Sequence, residues 1–110
     1  MTELNKKKCV PCEGGVPTLN IEEINELLKK LNQWEATEKE IFKTFVFKDF
    51  KESLNFINKV GVIAEDEGHH PDISLFSYKN VKITLSTHAI SGLSENDFIV
   101  AAKIDETQGS

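Results

Sequence analysis

Residues 73–88 read ISLFSYKNVKITLSTH, and the reading of this stretch decides the fold. Two runs of strand-forming residues, Ile73 to Tyr78 and Val81 to His88, fold back on each other as a β-hairpin. In the second run Val81, Ile83, Leu85 and Thr87 share one face, while Lys82, Thr84, Ser86 and His88 share the other. One face of this hairpin must therefore be covered by something apolar.

The segment before the hairpin supplies a cover. A long helix is expected from Lys48 or Asp49 to Glu67 and Gly68, with Gly68 suited to a left-handed C-terminal residue. Phe50, Leu54, Ile57, Gly61 and Ala64 mark its apolar stripe, widened by Phe56, Val60 and Ile63. Further upstream, Trp34 to Ala36 and Ile41 to Phe47 read as a second strand pair, joined by a turn over Thr37 to Glu40. An earlier helix from Ile21 to Leu31 opens on Asn20, with Glu23 as capping-box partner and Ile24, Leu27 and Leu28 at helical spacing. Downstream, Ser94 caps a third helix with Asp97 at its third position, and Phe98, Ala101, Ala102 and Ile104 face inward. The order is α-β-β-α-β-β-α. It predicts a single α+β domain, a four-stranded antiparallel sheet with three helices packed on one face. Boundaries are expected at 1–19 for an N-terminal loop or tail, 20–106 for the domain and 107–110 for a C-terminal tail. Pro11, Gly14, Gly15 and Pro17 give the first of these its loop composition.

The whole chain sets the outer limits. Its 110 residues fit one domain, with 39% apolar and 28% charged side chains. The net charge of -5 argues against nucleic acid as a direct partner, since phosphate binding needs clustered Lys and Arg. No apolar run approaches a membrane span, and the polar opening Met1 to Lys8 is no signal segment. Cytoplasmic residence is the expectation. The two cysteines, Cys9 and Cys12, form a C-x-x-C with three open readings: a redox pair, part of a zinc site, or two reduced thiols in a loop around Pro11. No strand precedes them and no further ligands lie nearby in sequence, so the third reading is the plainest.

The three histidines fall in one neighbourhood. His69 and His70 precede Pro71, and the hairpin returns His88 to the point where it began. Histidine is the side chain that titrates near neutrality, so this clustering suits acid–base catalysis. Metal binding and a structural role remain open on the residues alone. Asp97 is explained by capping, Glu65 by a solvated helix face, and Trp34, the sole tryptophan, by core packing.

The run Glu65-x-x-x-His69-His70-Pro71, then Thr84 to His88, then Gly92-Leu93-Ser94-x-x-Asp97, resembles the pterin-4a-carbinolamine dehydratases. The Cys9 to Gly15 opening and Trp34 are similar to bacterial-type members. The resemblance implies the fold described above. It also implies dehydration of a 4a-hydroxytetrahydropterin, with neither metal nor other cofactor required. By resemblance, His69, His70 and His88 match the active-site histidines, with His69 and His88 as the proton-transfer pair and His70 orienting the 4a-hydroxyl. Glu65, Gly68, Pro71, Ser86, Thr87, Asp97 and Trp34 match positions around the pterin. Gly68 and Ile73 depart from the acid and the tryptophan of animal members, and the hairpin turn is about one residue longer. A homodimer or homotetramer and a functional link to an aromatic amino-acid hydroxylase are implied in the same way. Two other classes compete with it. One is an interaction module like the animal members that bind homeodomain factors. The other is a pterin- or metal-binding protein without turnover.

Overall fold

The structure is a computed structural model that describes residues 4–6 and 18–108. Cys9 and Cys12 lie outside the described residues. Helix α1 (Ile21–Leu28) starts where the sequence places it. Asn20 Oδ1 accepts from the Glu23 amide at 2.8 Å, and Glu23 Oε1 accepts from the Asn20 amide at 3.0 Å. It ends one turn earlier than the apolar spacing suggests, because the chain tightens into turns over Lys29 to Leu31, with Lys30 and Leu31 bonding three residues back. Strands β1 (Glu35–Ala36) and β2 (Ile41–Val46) follow, joined by a turn in which Thr37 Oγ1 accepts the amides of Lys39 and Glu40.

Helix α2 (Phe50–Glu67) is capped at both ends. The Asp49 carboxylate accepts the Glu52 amide, and Gly68 adopts the left-handed conformation (φ 66°) that ends the helix. Its inward face follows the widening set of the expected stripe, together with Ala64, rather than the Phe50–Leu54 edge. Ser53, Phe56, Val60 and Ala64 are buried, whereas Phe50 and Leu54 are about half exposed. The two stripes differ by roughly a residue's rotation about the axis, and only the sheet beneath decides which is covered.

Strands β3 (Asp72–Phe76) and β4 (Asn80–Leu85) form the predicted hairpin, and the sheet order is β1-β2-β4-β3, antiparallel throughout. Registry sets Ile41, Lys43 and Phe45 opposite Leu85, Ile83 and Val81. These β4 residues are fully buried, as the alternation requires. The inner face meets α2 and α3 (Glu95–Thr107), whose Phe98, Ile99, Val100, Ala101 and Ile104 complete the core with Ile24, Trp34 and Phe56. Leu4, from the stretch read as a tail, joins the same core.

β4 stops at Leu85, before His88. Thr87 bridges to Gly92, and His88–Ile90 forms a 3-10 turn that reverses the chain towards α3. His88 therefore does not share a strand face with Ser86. The turn is held against the entry to α1, where the Leu19 amide bonds the Leu93 carbonyl at 2.9 Å. A Cβ on Gly92 would sit 2.5 Å from Cγ2 of Thr18, so a larger residue there would require the Thr18 side chain to move aside.

Candidate functional site

Four element ends converge at one edge of the molecule: the C-terminus of α2, the start of β3, the end of β4 and the first turn of α3. The left-handed turn at Gly68 swings the chain off α2 and sends His69 and His70 in different directions. His69 turns inward with a side chain 13% exposed, and His70 outward with one 61% exposed.

Each imidazole meets a carboxylate through Nε2. His69 lies 2.6 Å from Oδ1 of Asp97, whose side chain is fully buried. His70 lies 2.5 Å from Oε2 of Glu65, itself 77% exposed. The chemical consequences differ. The buried pair is shielded from water and rigidly placed, whereas an exposed pair contributes about 0–1 kcal/mol and rearranges readily. Among the described residues neither imidazole's Nδ1 has a hydrogen-bond partner, so each ring keeps one nitrogen for a ligand.

Asp97 was explained by capping alone, and it does cap. Its Oδ2 accepts the Ser94 amide at 3.0 Å. The same oxygen accepts the Thr87 hydroxyl at 2.8 Å, while Oδ1 faces His69. One residue thus caps the start of α3, ties it to the segment after β4 and orients a histidine. Thr87 Oγ1 also lies 2.8 Å from Ser94 Oγ, so three buried side chains stand behind the part-buried His69. The sequence held one signal for it. Alternation turns Thr87 inward, and a buried hydroxyl requires a partner.

His88 stands on the neighbouring turn, one residue beyond Thr87. It is exposed, and its imidazole bonds no other described residue. The hairpin has brought the chain back as expected, since Thr87 and His69 meet on one carboxylate. Ser86 and Pro71 flank the site half-buried. Trp34 is placed elsewhere. It is 5% exposed, its Nε1 donates to Asp105 Oδ1 at 2.9 Å, and its ring packs edge-on against Phe45. Asp105 lies eight positions beyond Asp97 on α3, about 12 Å along the helix. Among the described residues no three His, Cys, Asp or Glu side chains converge as a metal-ligand set. No described helix is long and apolar enough to cross a membrane. A groove of about 600 Å³ beside Ser91 and Gly92 is lined by none of the histidines.

Known proteins are similar to this chain over most of its length. The family model described as pterin 4 alpha carbinolamine dehydratase matches residues 17–107. A Rubrobacter xylanophilus protein, provisionally named a pterin-4-alpha-carbinolamine dehydratase, is 48% identical over 96% of this chain and 98% of its own length. An Alkaliphilus metalliredigens protein with the same provisional name is 47% identical over 98% of each chain. Among solved structures, a transcriptional coactivator/pterin dehydratase from Brucella melitensis superposes with a TM-score of 0.79 at 33% identity. That match covers 84% of this chain and all of the other. A pterin dehydratase-like RuBisCO assembly factor of the alpha-carboxysome matches at a TM-score of 0.59 and 27% identity, over 73% of this chain and 92% of its own. With the family model spanning nearly the whole described domain, this chain belongs to the pterin-4a-carbinolamine dehydratase family.

Proposed function

We propose that this chain dehydrates a 4a-hydroxytetrahydropterin to the quinonoid dihydropterin by histidine acid–base catalysis. The observation that carries the reading is the pair of adjacent imidazoles, one turned inward on Asp97 and one exposed on Glu65, each with an Nδ1 that bonds no other described residue.

The elimination needs two proton movements and no electron transfer. An acid protonates the 4a-hydroxyl as its C–O bond breaks and water leaves, and a base accepts the proton from the ring N–H. In this reading His69 and His88 make up the proton-transfer pair, and His70 orients or polarises the hydroxyl. Each positioned proton transfer contributes about 10²- to 10⁴-fold. Gly68 and Pro71 shape the chain around the two histidines, and Ser86 and Glu65 lie within the same rim. The substrate is what an aromatic amino-acid hydroxylase leaves behind when it oxidises a tetrahydropterin, which links the enzyme to such a hydroxylase upstream. The quinonoid product then needs a separate two-electron reduction before it is a tetrahydropterin again. β3 forms one edge of the sheet, and pairing of such edges across a two-fold axis would give the expected homodimer or homotetramer.

The test is formation of quinonoid dihydropterin from synthetic 4a-hydroxytetrahydropterin, followed by absorbance, for wild type and His88→Ala. His88 supports no packing, so the variant should fold. Fast dehydration by wild type, reduced by about 10²-fold or more in the variant, is the expected result. No acceleration by folded wild type would end the dehydratase reading and leave a partner-binding role in its place.

A further inference from the structure

With a neutral imidazole, the network behind His69 admits one arrangement of protons. The Ser94 backbone N–H can only donate, and it donates to Asp97 Oδ2 at 3.0 Å. Thr87 O–H donates to the same oxygen at 2.8 Å. A carboxylate has no proton to give, and an imidazole outcompetes it for one, so the 2.6 Å contact at Oδ1 is an Nε2–H of His69 donating. Thr87 has then used its only proton, so its oxygen accepts the Ser94 hydroxyl at 2.8 Å. Among the described residues no buried side-chain nitrogen or oxygen lacks a hydrogen-bond partner, and this scheme keeps the buried atoms of Thr87, Ser94 and Asp97 paired.

We infer that Thr87 and Ser94 are positioning residues. Through Asp97 they hold His69 as its Nε2–H tautomer and leave Nδ1 as the atom that accepts the substrate's proton. The second half of this statement rests on the dehydratase reading, and the tautomer does not. His70 has no equivalent support. Its carboxylate partner is exposed and accepts no other described group, so its tautomer is free to change. The base role thereby falls to His69, and Thr87 serves the reaction without touching the pterin.

Asp97→Asn tests the polarity directly. The Ser94 amide and Thr87 hydroxyl still donate, so they keep the amide oxygen on their side and turn the NH₂ towards His69. Nε2 must then accept, and the proton moves to Nδ1, the atom needed as base. ¹⁵N NMR of histidine-labelled protein above the imidazole titration reads this without turnover. Wild type should show His69 protonated on Nε2 and Asp97→Asn on Nδ1, with kcat lowered on the order of 10²- to 10⁴-fold and KM little changed.

Thr87→Val keeps the shape and removes one donor, and should lower kcat by roughly 10- to 100-fold, by analogy with lost outer-shell partners. Thr87→Ser should restore it. Ser94→Ala keeps the backbone amide and should cost less, with Ser94→Thr restoring the loss. An Nδ1–H tautomer in wild type, or an unchanged tautomer in folded Asp97→Asn, would overturn the inference. Should Asp97→Asn not fold, an Nε2–H wild type with Thr87→Val at full kcat would overturn it equally. An Nε2–H His69 in a protein with no dehydration would instead sink the dehydratase reading and leave the tautomer standing.

Discussion

Asp105→Ala should be among the most destabilising single changes outside the hydrophobic core, and it should leave the chemistry alone. Asp105 holds three donors at the C-terminal end of α3: Trp34 Nε1 at 2.9 Å, the Asn32 amide at 3.1 Å and Lys43 Nζ at 3.1 Å. Both partners of the ion pair are largely shielded, with side chains 12% and 17% exposed. Breaking one partner of a buried pair costs about 3–5 kcal/mol, because the other charge is left uncompensated. Lys43 is not wholly orphaned, however. It keeps the Asn32 carbonyl at 2.6 Å and the Phe45 ring at 4.6 Å. That places the loss at the lower end, about 3 kcal/mol, against a total of about 5–15 kcal/mol for a domain. At roughly 4 °C per kcal/mol for a chain of this length, Tm should fall by about 12 °C. Thermal unfolding followed by far-ultraviolet circular dichroism measures it. A fall under about 4 °C would refute the idea that this latch ties β2 and the segment leading into β1 to α3. The same variant, assayed well below its Tm, also tests Trp34. If the tryptophan serves the core, dehydration per folded molecule stays within about twofold; a large loss would bring Trp34 into the pterin site.

Two further expectations concern backbone conformation. Gly68→Ala places a Cβ at φ 66° with open space around it, so strain alone should cost about 1–2 kcal/mol in chemical denaturation. Because Gly68 sets the divergence of His69 and His70, kcat should fall as well; stability loss with unaltered kcat would count against that role. At the hairpin tip, Ser77 and Tyr78 both adopt positive φ (49° and 54°) without being glycine. Replacing them by Asn and Gly should raise Tm by a few degrees, and a decrease would mean that Tyr78, 58% exposed, makes a contact worth more than its strain.

How much of this was legible from the residues alone varies by element. The Asn20–Glu23 and Ser94–Asp97 boxes and Gly68 carry their own local chemistry, and each appears where the sequence puts it. The inward set Val81, Ile83, Leu85 and Thr87 is fixed by a period of two that has no near alternative, since a slip of one residue would bury Lys82. Helix α2 was less determined. Apolar residues cover more than half its circumference, so the periodicity left two adjacent stripes, and the sheet took Phe56, Val60 and Ala64 in preference to Phe50 and Leu54.

The histidines divide along the same line. Their clustering followed from the hairpin, whose return is a property of local geometry. Their inequality did not. His69 and His70 are neighbours of one chemical type, and only the left-handed turn at Gly68 sends one inward to Asp97 and the other out to Glu65. Trp34 likewise reads identically whether its indole stacks on a ligand or donates to Asp105, 71 residues away. Caps, alternation and turn residues act within a few positions and so are written in the sequence. Which carboxylate meets which imidazole, and which proton it fixes, depends on contacts between segments 28 residues apart that only packing brings together.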